Sequence, residues 1–383
     1  MWRGAAEPHR ALSICVVLPV RNEAANLADT LAALARQRTF SGTAFDRSRF
    51  EVLVLANNCH DQSARVAADF SRAQPDLALH VEEVTLLVAD AHIGHVRKLL
   101  MDAACERLGR VGAMSGIVAS TDGDSVVGES WLAALQHEFE LGVAAVGGRI
   151  VLDPKGPIEP HTLRRQRCDT AYNLAQARLE HLLDPDPADP WPRHHQHFGA
   201  NLAVRRDAYL TVGGIPEVRY LEDEALVTAL RRADLCVRHS PLARVRTSAR
   251  PDGRVEVGLS WQLRQWAEFR GEHQPMLVAD PDVFVTSIQA RRLLRQAWRT
   301  RTESRLTVAA NAVAACFNVP PLHLTDLARR SATFGALWND VQALGGRAAA
   351  PPTMPVRQAI DRLRVLIRIH STRACAHSNT SSR

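Results

Sequence analysis

The chain lacks every CxxC pair, any glycine-rich G-x-G-x-x-G turn after its first strand, and any uninterrupted apolar run of membrane-spanning length. Its seven cysteines (Cys15, Cys59, Cys105, Cys168, Cys236, Cys316 and Cys375) are scattered and odd in number, which removes zinc ribbons and dithiol redox motifs. Several lie inside apolar runs, where a reduced, buried thiol is the plain reading, and a reducing compartment is expected. Without the glycine turn, hydride transfer on a dinucleotide and nucleotidyl transfer on a phosphate loop are disfavoured. The most apolar stretch, residues 306–321, is interrupted by Asn311 and Asn318 and is shorter than the roughly 20 residues a membrane helix needs. Residues 1–10 are polar, with no signal-peptide core, so a cytoplasmic location is expected. Aromatic residues make up only 5% and no recognition motif occurs, so no nucleic-acid partner is expected.

What is present is a globular composition over 383 residues, with 46% hydrophobic and 23% charged residues and a formal net charge of +6. The positive balance favours anionic partners without choosing among them. The first half alternates apolar runs with helical spacing, which predicts βαβ units and a largely parallel sheet. Strands are expected at 11–20, 50–56, within 77–88, at 116–121 and near 144–152, and Asn22 is expected to cap the first helix. The second half begins with residues 184–192, whose four prolines predict a mobile loop. A short strand follows at 199–204, a helix at 222–232, and arginine-rich helices from Ser287 onward. A domain edge near residue 275 would separate a catalytic domain, 1–275, from a helical, arginine-rich extension, 276–383.

Three polar clusters, at 19–23, 57–61 and 122–124, each follow an apolar strand. In an open parallel sheet, ligands bind beyond the strands' carboxyl ends, so all three are expected to meet in one crevice. Asp122 and Asp124 supply paired carboxylates for a divalent cation, Mg²⁺ or Mn²⁺, that neutralises a diphosphate leaving group. A solvated turn around Gly123 is the plainer alternative. Asn57 and Asn58 can hydrogen-bond a base edge or ribose, or form an Asx turn, with Asp61 capping the next helix. Arg97 and Lys98, in the first turns of a helix, either reach phosphate or form a solvated basic face.

At these positions the chain resembles the family-2 glycosyltransferases of GT-A fold, over roughly residues 11–270. Pro19, Arg21, Asn22 and Glu23 match the family's P-x-Y-N-E, with arginine in the tyrosine position. The loop from Asn57 and Asn58 to Asp61 departs from the family's D-D-G-S and leaves the donor's nucleobase open. Asp122 and Asp124 match its D-x-D; Gly199, Asn201 and Arg205 match its G-x-N-x-x-x-R, followed by Gly213 and Gly214. Glu222, Asp223 and Leu226 match E-D-x-x-L. The resemblance implies an open, mostly parallel, Rossmann-like sheet flanked by helices and an inverting hexosyltransferase that uses a nucleotide-diphosphate-sugar donor. Asp223, with Glu222 beside it, is implied as the base that deprotonates a hydroxyl acceptor. Pro19, Arg21, Glu23, Asn57, Asn58, Arg97, Asp122 and Asn201 are implied at the donor, and Asp122 and Asp124 at the metal. An acidic helix start favoured by the macrodipole is the plainer reading of Glu222 and Asp223.

Other signals are weaker. Gln262, Arg264 and Trp266 resemble the Q-x-x-R-W of processive synthases with the arginine displaced, and the absence of membrane helices speaks against that activity. Arg250 and Arg254 are candidates for donor phosphates. His194, His195 and His197 lack usual zinc spacing and read as an acceptor-facing or lid loop; His239 is available to a metal shell. Residues 355–370 are basic and amphipathic, reading first as a packed helix and second as a peripheral contact with an anionic inner membrane face. The competing function is a catalytically silent nucleotide-sugar-binding subunit; Asp124 and Asp223, both present, favour the enzyme.

Overall fold

β1 (Ile14–Val20) is apolar throughout because the sheet it lies in is covered on both faces. Ile14, Val16 and Leu18 face one core; Cys15 and Val17 face the other. The computed structural model describes residue 2 and residues 5–153, 158–250, 257–268, 275–300, 302–345 and 352–380. After β1 come α1 (Leu27–Ala35), β2 (Phe50–Asn57), α2 (Ser63–Ala73), β3 (Leu79–Val84), α3 (Ile93–Arg110), β4 (Ile117–Ser120), β5 (Ser125–Val127), α4 (Trp131–Glu140) and β6 (Ala145–Leu152). Then follow α5 (Pro160–Leu183), β7 (Leu202–Arg205), α6 (Arg206–Thr211), α7 (Glu222–Arg232), β8 (Val237–Thr247) and α8 (Leu259–Glu268). The chain ends with β9 (Leu277–Ala279), α9 (Pro281–Thr300), α10 (Glu303–Phe317), α11 (Pro321–Arg330), α12 (Phe334–Gly345), β10 (Thr353–Pro355) and α13 (Val356–Thr380).

The chain forms two compact units. The first, residues 1–158, 196–230 and 235–265, holds the eight-stranded sheet in the order β3-β2-β1-β4-β7-β6-β8-β5. β1 to β4 run parallel, β7 is antiparallel to β4 and β6, and β5 is antiparallel to β8. This is the open, mostly parallel α/β sheet the sequence predicts. One core packs α1 and α4 against the sheet through Leu27, Leu31, Trp131 and Leu135. The opposite core packs α3, α6 and α7 through Leu100, Met101, Tyr209 and Leu226.

The second unit, residues 159–195, 231–234 and 266–383, joins α5 to the later helices, so it draws on chain well before residue 275. Tyr172, Leu179 and Leu183 of α5 pack with Ala359, Ile360 and Leu363 of α13. Arg357, Arg364 and Arg368 lie on the exposed side of α13. The proline-rich loop is anchored rather than loose. Asp184 accepts hydrogen bonds from Arg291 and Arg295 at 2.9 and 2.8 Å, and Arg193 pairs with Asp189 and Glu180 at 2.9 and 2.6 Å. Among the described residues no helix is long and apolar enough to cross a membrane.

Candidate active site

The carboxyl ends of β1, β2 and β4 converge as their register requires. β4 pairs with Ile14 to Val17 of β1 and then stops, so Pro19 sits where no partner on that side needs its missing N–H. Beyond β1 the backbone turns at Asn22, whose φ of 56° is left-handed. Asn22 therefore does not cap α1, which starts after Asn26 without a side-chain cap; its Oδ1 accepts the His60 N–H at 2.7 Å. Asp61 ties the same two loops, accepting from the Ala24 and Ser63 N–H groups, both at 3.0 Å. Arg21 donates to the Ala91 carbonyl at 3.1 Å. Asn57 is buried at the end of β2, and Asn58 exchanges both amide groups with the backbone of Leu86 at 2.9 and 3.1 Å. Asn58 thus extends the β2–β3 pairing with one N–H and the oxygen of its amide.

Arg97 corrects its expectation most sharply. It is neither solvated nor open to a phosphate: its side chain is 3% exposed. Its guanidinium donates to Glu222 at 2.8 Å, to Asp122 at 3.0 Å, to the Gly199 carbonyl at 3.0 Å and to Ser120 Oγ. Gly199 is required for that approach, because a Cβ there would lie 2.5 Å from the Arg97 Cζ. The D-x-D after β4 and the E-D pair opening α7 are thereby brought onto one buried cation. Lys98 points elsewhere and pairs with Asp102 at 2.8 Å.

Asp223 is half-buried and oriented by two backbone donors: the Gly199 N–H at 2.7 Å and the Glu224 N–H at 2.8 Å. Burial raises the Glu222 carboxyl above its ordinary value, with Arg97 opposing and Asp223 adding to the rise. Asn201 is buried and fully engaged. Its amide donates to the carbonyls of Ala243 and Arg149 at 3.0 and 3.2 Å and accepts from Trp131 Nε1 at 2.8 Å. It locks β6 and β8 to α4, in place of the donor contact expected for it.

Asp124 and Glu23 share Arg250, which lies 3.0 Å from Asp124 and forks onto both Glu23 oxygens. Burial, then the neighbouring Asp122 and Glu23 carboxylates, push the Asp124 carboxyl up to about 6 against the pull of Arg250. Crowded negative charge of this kind fits a hard divalent cation, to which Asp122 and Asp124 could offer carboxylate oxygens. Among the described residues no group of three His, Cys, Asp or Glu side chains is arranged to hold a metal, so the remaining ligands would come from substrate and water. His239 is no exception: its Nε2 lies 3.2 Å from His197 Nδ1, and His197 Nε2 lies 2.6 Å from Glu224. His194 and His197 are buried, so neither is an exposed lid residue. Leu263 and Trp266 of α8 are buried, and Arg254 lies outside the described residues.

No protein-family model matches the chain. Over 205 residues it is 28% identical to Glycosyltransferase AglE of Haloferax volcanii, which covers 53% of this chain and 56% of that protein. The chain thus spans about half the length of this curated relative. Among solved structures, residues 1–349 of S. aureus TarS, in complex with UDP, align at a TM-score of 0.44 and 12% identity, covering 94% of this chain and 92% of that one. The mannosyltransferase PcManGT of Pyrobaculum calidifontis, in complex with GDP-Man and Mn²⁺, aligns at 0.43 and 18%, covering 90% of each chain. The chain is thus similar in sequence, over about half its length, to a glycosyltransferase, and its sheet is of the open, mostly parallel α/β kind.

Proposed function

We propose that the chain transfers a sugar from a nucleotide-diphosphate donor to a hydroxyl acceptor with inversion, Asp223 serving as the general base. The observation that carries this reading is the Arg97 hub, which ties Asp122 at the end of β4 to Glu222 at the start of α7. A base and a leaving-group site must flank the anomeric carbon from opposite sides, and this network fixes the spacing between the two. Asp223, held by the Gly199 and Glu224 N–H groups, takes the acceptor hydroxyl proton as the oxygen attacks. Glu222 keeps Arg97 in place and does not itself need to reach the substrate. Asp122 and Asp124 would hold Mg²⁺ or Mn²⁺, which when bound supplies Lewis-acid neutralisation of the departing diphosphate. The backbone around Pro19 and Arg21, with Asn57 behind it, forms the donor floor. Arg250 neutralises Glu23 and Asp124 before the donor arrives. Kinship to AglE supports glycosyl transfer as the reaction class.

Asp223→Asn keeps an acceptor oxygen for the Gly199 N–H but removes the base. Turnover is expected to fall by about 10²–10⁴ while donor binding survives. Asp124→Ala is expected to abolish the metal-dependent part of donor binding. A thermal-shift screen of nucleotide-sugars with and without Mn²⁺ reads the second outcome and identifies the donor, because a ligand of the native state raises Tm by mass action. Full turnover by Asp223→Asn removes the assigned base. Donor binding by both variants with no turnover in the wild type favours the silent binding subunit.

A further inference from the structure

Buried arginines in this protein come with carboxylates. Arg97, Arg107, Arg193 and Arg238 each pair with a glutamate or aspartate within 3.3 Å. Arg149 on β6, half-buried as a residue, has no such partner. Its Nη1 is buried with no hydrogen-bond partner, and among the described residues no carboxylate pairs with it. Its neighbour in the β6–β8 register is another arginine, Arg244, with Arg246 two residues further along β8. Burial, and after it Arg244, lowers the Arg149 guanidinium below its ordinary value. An unpaired buried donor beside a like charge is expensive to keep, and a bound anion is what would satisfy both.

The face on which this pair lies is defined. Side chains alternate along β6, so Arg149 points to the same side as Gly147. A Cβ on Gly147 would meet His197 at 2.8 to 2.9 Å, so the His197–Glu224 pair covers that side. Two residues of strand place Arg149 roughly 6.6 Å further along. Asp223 adjoins Glu224 on α7, so the arginines open onto the base's side of the sheet, one strand-step beyond His197.

We propose that Arg149 and Arg244 form an anion site that takes a phosphate or carboxylate group carried by the acceptor. The anion site stands on its own geometry; its assignment to the acceptor rests on the transfer reading above. Inorganic phosphate at matched ionic strength is the first probe, read by thermal shift on the whole chain. Phosphate is expected to raise the Tm of the wild type, with affinity about ten-fold or more lower in Arg149→Gln and in Arg244→Gln. Arg244 is exposed, so its variant keeps the test alive if Arg149→Gln folds poorly. Equal stabilisation of all three proteins, or none of the wild type, overturns the site. Nucleotide binding with Mn²⁺ is expected to be unchanged in Arg244→Gln. If the wild type binds phosphate through Arg149 but no nucleotide, the transfer reading fails and the anion site remains. Glycerol phosphate against glycerol, and phosphatidylglycerol vesicles against phosphatidylcholine vesicles, separate a soluble ester from a lipid headgroup as carrier. Binding of both that is indifferent to Arg149 and Arg244 counts against the assignment.

Discussion

Two arginines on α3, Arg97 and Arg107, are both 3% exposed, yet they are used in opposite ways. Arg107 forks onto both oxygens of Glu51 at 2.7 Å and also donates to the Ala6 carbonyl at 2.9 Å, with His80 Nε2 3.1 Å away. That pair is closed: one acid, both oxygens taken, at the far end of the helix from the strand-end crevice. Arg97 gives one hydrogen bond each to Asp122 and Glu222, so it forks onto neither acid. The Asp122 side chain is also 34% exposed. A saturated ion pair serves the fold, whereas an arginine shared between two acids, one of them partly exposed, is the arrangement that organises groups around a ligand.

The contrast breaks first at Arg107. Arg107→Met leaves Glu51 buried without its cation, and a loss of about 3–5 kcal/mol of stability is expected by urea denaturation. Nucleotide binding per folded molecule should not change; if it does, the two arginines are not separable. A smaller effect follows from acid. Burial works to raise the Glu51 carboxyl, but hydrogen bonds from His80 and Arg107 outweigh it and bring it from 4.5 down to about 2. A carboxyl lowered in the folded state contributes stability that is complete above pH 4.5 and is lost as the pH falls toward 2, here by about 3 kcal/mol at most. Urea midpoints between pH 5 and pH 3 should fall in the wild type and much less in Glu51→Gln.

The closed pair and the open hub were not equally visible in the sequence. β1, β2 and β4 announce themselves as unbroken apolar runs because they are buried on both faces. The acids at 122–124 and 222–223 stand out because they follow a strand or open a helix. Arg97 is legible only as a helix-start cation that could reach phosphate. Helical spacing places it one turn into α3, but only the approach of Gly199, 102 residues later, turns a helix-start cation into a buried hub. β8 carries a fainter signal: Ala243, Val245 and Thr247 are buried while Leu242, Arg244 and Arg246 are exposed, an alternation of period two masked by its arginines. α5 is hard to read for a different reason. Its buried Thr162, Tyr172, Ala177, Leu179 and Leu183 are sparse over 24 residues, and no apolar stripe appears until its partner α13 is in view.

Gly199→Ala sharpens the comparison with the smallest change to stability. The added Cβ would lie 2.5 Å from Arg97 Cζ and Nη2, closer than real contacts allow. The guanidinium is held on its other sides by Ser120, Asp122 and Glu222, so it cannot simply swing away. Overpacking of this kind costs about 1–3 kcal/mol, less than unpairing Arg107. The same displacement moves Asp122 against Asp223, because the Gly199 N–H and carbonyl contact Asp223 and Arg97 respectively. A shift of about 1 Å in a positioned group can lower a rate by about 10²-fold, so turnover is expected to fall far more than stability does. Turnover of the folded variant, measured beside its urea midpoint, decides the matter: if the rate is unchanged while the midpoint drops, Arg97 is a structural arginine of the same kind as Arg107.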